Sequence, residues 1–415
     1  MARPRIAYVL LWFPKPSETF IFREVVNLQK MGLPVKVFTL YGPLTRDLSP
    51  EMQAAPPPER LGLPFLASAW QDALYWWRRQ RQACKSLAKT VWPRHWRHLE
   101  REGESLWGVL CGARLARRFE EEKITHIHAP WACGPATAAW VASHLTGIPF
   151  SFTGRAHDVF TPDSLLAAKI RDAAFVRCES RAVLRHLQEL AGGDSGKLRL
   201  TYNGVPLTAT GLAPVLMHPP YRLLALGRLV GTKGFAVLLE ACRLLKDAGV
   251  DFHLTLAGSG AGGWRLRRLS RKLGLDSRVS FPGFIPYDRV SELFQGADVF
   301  IMPSIVLHSG NRDGLPTVIL EALLHGVPVV ATDVAGIGEV VEPGGTGLLV
   351  PPKDPQALAA AIRQLLRNRD AALEMAARGR ARVVQDFEAE RNHRRVWQLF
   401  QEAGHFGGEI EEDRG

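Results

Sequence analysis

The chain has 415 residues, 46% hydrophobic and 22% charged, a length beyond what one hydrophobic core organises and a balance far from that of a disordered polymer. A single small binding module is excluded. Lys and Arg outnumber Asp and Glu by 52 to 41, and the resulting net charge of +11 suits nucleic acid, anionic lipid or a phosphorylated small molecule until it is placed on the fold.

From the N-terminus, Arg5–Phe13 is an apolar run behind a basic residue. It is short, meets Pro14 and offers no small-residue cleavage site, so it reads as a buried first strand rather than a secretion signal. No stretch reaches the roughly 20 apolar residues of a spanning helix. Further strands are expected at Val35–Leu40, His126–Ala129, Phe150–Thr153, Phe175–Glu179 and Leu198–Tyr202, and in the second half at YRLLALG, FHLTLAG, VSFPG, VFIMPS and PVVATD. Helix-period segments separate them, the pattern of parallel sheets covered on both faces. The expected fold is α/β, two doubly wound Rossmann-like domains facing a cleft. The first spans 1–204 with a helical insertion at about 66–120, and the second spans 221–385 after a Pro-rich linker at 205–220. Residues 386–415 then supply a helix returning to the first domain and an acidic tail. Five scattered cysteines, odd in number and without a C-x-x-C pair, argue against a disulfide framework or zinc site and for a reducing, cytoplasmic compartment.

Ahead of the first helical pattern, FPKPSETFIFREV puts Ser17 where it would cap the helix, with Glu18 and Thr19 in the first turn and free N–H groups beyond. Ordinary capping is the plainer alternative. Trp70–Glu120 holds six of the eleven tryptophans, with eleven Lys/Arg against five Asp/Glu. Trp70, Leu74 and Trp77 share helical spacing, as do Trp92, Trp96 and Leu99, a pattern that suits either an anionic membrane interface or a helical hairpin packed on the first domain. His126 and His128 flank Ile127 on one strand face, where a satisfied structural histidine is the simpler reading.

In the second half, LALGRLVGTKGFAVLLEA ends a strand at Gly227, carries Arg228 and Lys233 in a loop and starts a helix near Gly234. A diphosphate fits between such cations, the arginine as a planar fork and the lysine as a point charge; two solvated loop cations are the alternative. Gly258-Ser259-Gly260-Ala261-Gly262-Gly263 is a literal G-x-G-x-x-G after a strand. The following strand VSFPGF offers no acid for an adenosine ribose, so a tight turn is favoured over nicotinamide binding. In NRDGLPTVILEALLHGVPVVATD, Pro316 suits a first helical turn and Gly326 its stop, leaving Asp313 just before the helix and Glu321 inside it, seven residues intervening. A carboxylate among Val318, Ile319, Leu320, Ala322 and Leu323 needs donors such as sugar or ribose hydroxyls; an N-terminal acid offsetting the helix dipole plus an exposed Glu is the alternative.

Together these pieces resemble the group 1 nucleotide-sugar glycosyltransferases, retaining enzymes of the two-domain GT-B fold. The resemblance runs through GRLVGTKG, GFIPYDRVSELFQGADVFIMPS, DGLPTVILEALLHGVPVVATDVAG and TGLLVPPKDPQALAAAI, and FPKPSETFIFREV is similar to the start of the exopolysaccharide and colanic-acid branch. It implies Arg228 and Lys233 on the donor diphosphate, Asp313 on the donor sugar in place of the usual glutamate, and Glu321 on the ribose. Gly227, Gly234, Gly258, Gly260, Gly314, Leu315 and Pro316 fall on the donor side. The family's Gly-Gly-x-Pro-Glu loop becomes Ala335-Gly336-Ile337-Gly338-Glu339, without its proline. SFTGRAHDVF resembles the branch's Thr-Ala-His-Ala-x-Asp segment, with Asp158 matching, Arg155 at the usual histidine position and His157 two residues later. Ser17, Glu18, Thr19, His128, Arg155, His157 and Asp158 are thereby expected to face the acceptor.

The implied reaction moves a sugar from a nucleoside diphosphate to a glycan or polyprenyl-linked saccharide, in exopolysaccharide or other cell-surface polysaccharide synthesis. No cofactor is expected, and the lack of a D-x-D signature fits a metal-independent enzyme. The expected location is the cytoplasm or the inner face of the cell membrane. A sugar-nucleotide epimerase on the same fold is the rival enzyme. The rival without catalysis is a basic protein docking on membrane or nucleic acid, although no nucleic-acid-binding motif is present and no nucleic-acid partner is expected.

Overall fold

A computed structural model describes residues 4–41, 48–62, 67–92, 99–192, 196–207 and 217–404. The chain forms two compact units, Met1–Tyr202 with Glu390–Gly415, and Asn203–Ala389. Residues 208–216 of the expected linker, Trp96, and the acidic tail 405–415 lie outside the described residues.

Seven strands build the sheet of the first unit: β1 (Ile6–Leu10), β2 (Val35–Thr39), β3 (Glu59–Arg60), β4 (His126–Ala129), β5 (Phe150–Gly154), β6 (Phe175–Cys178) and β7 (Leu198–Leu200). They are parallel, in the order β3-β2-β1-β4-β5-β6-β7. Every residue of β1, β4, β5 and β6 is buried, as in parallel sheets covered on both faces, the polar His126, His128, Ser151, Thr153 and Arg177 included. The first strand stops at Leu10, three residues short of its expected end, before the bend that leads to Pro14. β3 was not anticipated: two charged residues at a sheet edge leave no apolar run to read.

The expected insertion is three helices, Ala69–Arg79, Arg81–Val91 and Leu99–Glu121. The third lies close against the helix Gly134–Thr146. At Gly112 a Cβ would stand 2.8 Å from the Ala138 carbonyl oxygen, so only glycine permits the approach. Trp76 is fully buried beside it and its indole N–H donates to the Ala113 carbonyl at 2.8 Å. The C-terminal helix Ala389–Gly404 buries Val396, Trp397, Leu399 and Phe400 in one cluster with Ile6, Tyr8 and Phe175 of the first unit.

The second unit holds β8 (Tyr221–Leu226), β9 (Phe252–Ala257), β10 (Val279–Ser280), β11 (Val299–Met302), β12 (Val329–Thr332) and β13 (Leu348–Val350), again parallel, in the order β10-β9-β8-β11-β12-β13. The chain winds outward from β8 to β10, then crosses back to lay β11 beside β8. In such sheets ligands bind beyond the strand C-termini at the place where winding reverses. That place is the β8/β11 pair, registered Val299 against Leu223.

Candidate active site

The loops after β8 and β11 converge. Lys233 closes a short 3-10 turn, Gly231–Lys233, and its Nζ lies 3.2 Å from Asp313 Oδ2. Ser304, fully buried just beyond β11, donates to the same oxygen at 2.5 Å, so the carboxylate is held from two sides. An ammonium has three donors, which leaves Lys233 capacity for an anion while it keeps Asp313. Arg228 is exposed five residues earlier on the loop, and its guanidinium makes no ion pair among the described residues. Glu321 is buried within the helix Thr317–Leu324, beside the buried Ile319, Leu320, Ala322 and Leu323. Pro316 takes the N-cap position rather than the first helical position, and no side chain caps this N-terminus. Gly326 ends the helix with φ 72°, as a C-terminal stop requires.

Glycines fix these loops. A Cβ at Gly234, φ 64°, would fall onto the Pro303 carbonyl, and one at Gly258, φ 133°, onto the Gly227 carbonyl. Gly260 packs on Leu229, whose N–H donates to the Ser259 carbonyl at 2.8 Å. The G-x-G-x-x-G segment is thus a backbone buttress under the Arg228 loop. On the other side, the Ile305 N–H donates to the Thr232 carbonyl at 2.8 Å, and the Gly336 N–H to the Gly314 carbonyl at 3.2 Å. Leu315 and Pro316 are buried between these contacts. Ala335 adopts φ 48°, the left-handed conformation that favours glycine, at the position where the family pattern begins Gly-Gly. Despite the missing proline, Ile337 is fully buried at the start of the turn Ile337–Glu339.

In the first unit the expected cap is corrected. The helix runs Thr19–Lys30 with Glu18, not Ser17, at the N-cap, and no side-chain cap bond forms. Glu18 is instead drawn to Lys15 Nζ at 2.6 Å and accepts from the Trp131 indole at 3.3 Å. Ser17 is exposed. His128 is fully buried, with Nδ1 2.8 Å from Ser151 Oγ and Nε2 3.2 Å from Thr153 Oγ1, and His126 Nε2 lies 2.7 Å from the same Ser151 oxygen. Burial lowers both imidazoles to about 3, so they are neutral core residues, and an acceptor cannot touch His128 as it stands. Arg155 is buried too. Its Nη1 pairs with Glu179 at 2.9 Å, its Nε donates to the Pro130 carbonyl at 2.9 Å, and its guanidinium carbon lies 4.5 Å from the Phe20 ring centre and 5.3 Å from that of Trp131. Asp158 accepts from the N–H groups of Arg155, at 3.0 Å, and Ala132; burial pushes its pKa up to about 7 while Arg101 and those N–H groups pull it down. His157 is half-buried and its carbonyl accepts from Arg101. Ser304, Glu179, Phe20 and Trp131 were not found by sequence reasoning, since no local spacing links them to the residues they hold.

Residues 215–382 match the family profile described as Glycosyl transferases group 1. The chain carries a group 1 glycosyl transferase domain. It is 28% identical to WcaL, the glycosyltransferase assigned to colanic acid biosynthesis in Salmonella typhimurium and Escherichia coli, over 96% of this chain and 99% of each relative. Against the amylovoran biosynthesis glycosyltransferase AmsK of Erwinia amylovora it is 32% identical over 45% of this chain and 46% of that one. HepE of Anabaena in complex with UDP and glucose shares the fold, with TM-score 0.72, 18% identity and 95% and 99% of the two chains covered. So does sucrose-phosphate synthase of Thermosynechococcus elongatus, with TM-score 0.70, 21% identity and 96% and 98% covered. The fold is GT-B and the protein is a glycosyltransferase, with no described helix long and apolar enough to cross a membrane.

Proposed function

We propose that this glycosyltransferase moves a sugar, with retention of anomeric configuration, from a nucleoside diphosphate to a hydroxyl of a glycan or polyprenyl-linked saccharide in exopolysaccharide or other cell-surface polysaccharide synthesis. The observation that carries the reading is the Lys233–Asp313 pair at the β8/β11 crossover, 3.2 Å apart, on loops buttressed by glycine. As the bond between the anomeric carbon and the diphosphate breaks, negative charge grows on the departing oxygen. Lys233, held by Asp313, is a fixed cation for that charge and acts without reorganising during the reaction, and the exposed Arg228 adds a second cation from the same loop. Asp313, anchored by Ser304, orients donor hydroxyls, and Glu321 holds the ribose. The acceptor oxygen bonds to the same face of the anomeric carbon, and its proton passes to the departing phosphate. With two cations assigned to the diphosphate, a divalent metal is dispensable. The full-length likeness to WcaL supports the assignment to exopolysaccharide assembly.

The test is a panel of nucleoside-diphosphate sugars screened for donor-dependent thermal stabilisation, since a ligand of the native state raises its melting temperature. One nucleotide should raise the melt with EDTA present, and that donor should yield a glycosidic product with saccharide acceptors. A donor converted to its epimer without acceptor would replace this reading with the epimerase.

A further inference from the structure

The basic, tryptophan-rich insertion belongs to the first unit, whereas Lys233 and Asp313 belong to the second, and it carries most of the large apolar side chains exposed among the described residues. Of the eleven large apolar side chains exposed among the described residues, seven lie between Trp70 and Leu110. Trp70 is 64% exposed, Trp77 43% and Trp92 89%. A packed hairpin with solvated charges would turn such residues inward, as Trp76 is turned. On the helix Ala69–Arg79, Trp70, Leu74 and Trp77 form one outward stripe, while Asp72 and Trp76 face the core.

The charge on these helices is one-sided. Between Ala69 and Val91 the only acid is Asp72, buried and paired with Arg114 at 2.8 Å and Arg117 at 3.1 Å. Arg78, Arg81, Lys85 and Lys89 are exposed and make no ion pair among the described residues. The Arg81 guanidinium lies 5.4 Å from the Trp77 ring centre, so a cation and an aromatic ring share one spot on the surface. An open groove of about 500 Å³ runs beside them, with Trp70, Leu74 and Tyr75 in its lining and Arg78 and Arg117 as cations.

We propose that the helices Ala69–Arg79 and Arg81–Val91 form a docking face for the surface of an anionic phospholipid bilayer. Tryptophans settle at headgroup depth, and a cluster of about four or more Lys/Arg beside them meets lipid phosphates, a combination that neither a neutral bilayer nor a soluble polyanion satisfies alone. The helix Gly263–Lys272 in the second unit makes the contrast. It is also basic and exposed, but Trp264 is its one large exposed apolar residue, so it lacks the stripe. The inference is independent of the transfer reaction: it places the enzyme at a membrane whatever its acceptor.

The experiment is co-sedimentation of the full chain with phosphatidylcholine vesicles made with and without phosphatidylglycerol. The wild type should partition at least about tenfold better onto the anionic vesicles, with a blue shift of tryptophan emission, and most of the binding should be lost as salt shortens the Debye length towards about 3 Å. Two variants, one with Trp70→Ser, Leu74→Ser and Trp77→Ser and one with Arg78→Gln, Arg81→Gln, Lys85→Gln and Lys89→Gln, should each lose at least about tenfold in partition. Both change exposed side chains, and unaltered melting and unaltered donor binding will show that they fold. A third variant, Arg265→Gln, Arg268→Gln and Arg271→Gln, should partition as the wild type does. Absent preference for phosphatidylglycerol, undiminished binding by both insertion variants, loss confined to the third variant, or a dimer that dissociates when Trp70 and Trp77 are replaced would each overturn the proposal. Failure of donor binding, by contrast, would leave it standing and count only against the transfer reaction.

Discussion

Lys233 holds Asp313 at 3.2 Å and is itself buried, and in the proposed reaction the same ammonium meets the departing diphosphate. Lys233→Ala should therefore lower kcat/KM by about 10²–10³, the usual loss on removing one preorganised charge donor, and should abolish donor-dependent stabilisation in a melting assay. Ser304→Ala removes only the second anchor of Asp313. It should cost less than Lys233→Ala, and mainly in kcat, which steady-state kinetics will resolve. That Lys233 and Asp313 deserve to be considered together was legible, because the spacing of each relative to glycines and one proline is a local property of the chain. Ser304 was not, because nothing local ties a serine at the end of one strand to an acid nine residues on. Arg155 shows the same limit: its position was readable, but its burial against Glu179, Phe20 and Trp131 depends on partners brought together only by the sheet.

The elements that aim these residues are parallel strands whose ends are shaped by glycine. Gly258→Ala combines a left-handed φ of 133° with a Cβ on the Gly227 carbonyl, so it should destabilise the chain by about 2–4 kcal/mol, measured by denaturant melts. Ser17→Ala tests the corrected helix start. Because Ser17 is exposed and caps nothing, the change should stay within about 0.5 kcal/mol, whereas a true cap would cost about 1 kcal/mol. The cap was misread because Ser-Glu-Thr offers several starting points, and the choice is made by Lys15 and Trp131 taking the Glu18 carboxylate. Long apolar strands could be read from the sequence; the two-residue β3 could not, since its pairing with β2 is set by register alone.

Across the whole molecule, alternation of apolar and helical segments made both doubly wound units readable, and His126 and His128 were read as satisfied structural histidines, while the buried ion pairs were not readable. Arg177 and Glu24 pair across 153 positions of sequence, and Lys169 meets Asp163 at 2.7 Å in a fully buried pair. The buried histidines make the first unit sensitive to acid. Burial lowers His126 and His128 to about 3 and His393 to about 4, below the ordinary 6.5. The stability they contribute is complete above pH 6.5 and is lost as pH falls through those values, because the unfolded chain takes up protons first. Asp158, raised to about 7, acts in the opposite sense: its contribution is present below about 3.8 and is lost as pH rises through 7. A pH series of melts should show stability falling from about pH 6 towards 3, with the acid limb less steep in His126→Gln. The net charge of +11 has a local meaning as well, since four exposed cations, Arg78, Arg81, Lys85 and Lys89, stand on the helices Ala69–Arg79 and Arg81–Val91 beside Trp70, Trp77 and Trp92.

The most direct measurement is product formation by the purified chain from the nucleoside-diphosphate sugar that raises its melt, with a saccharide acceptor, in wild type and Lys233→Ala. A new glycosidic bond with the donor's anomeric configuration, formed at least about a hundredfold more slowly by the variant, is the predicted result. Equal rates in the two proteins, or donor turnover that needs no acceptor, would contradict it.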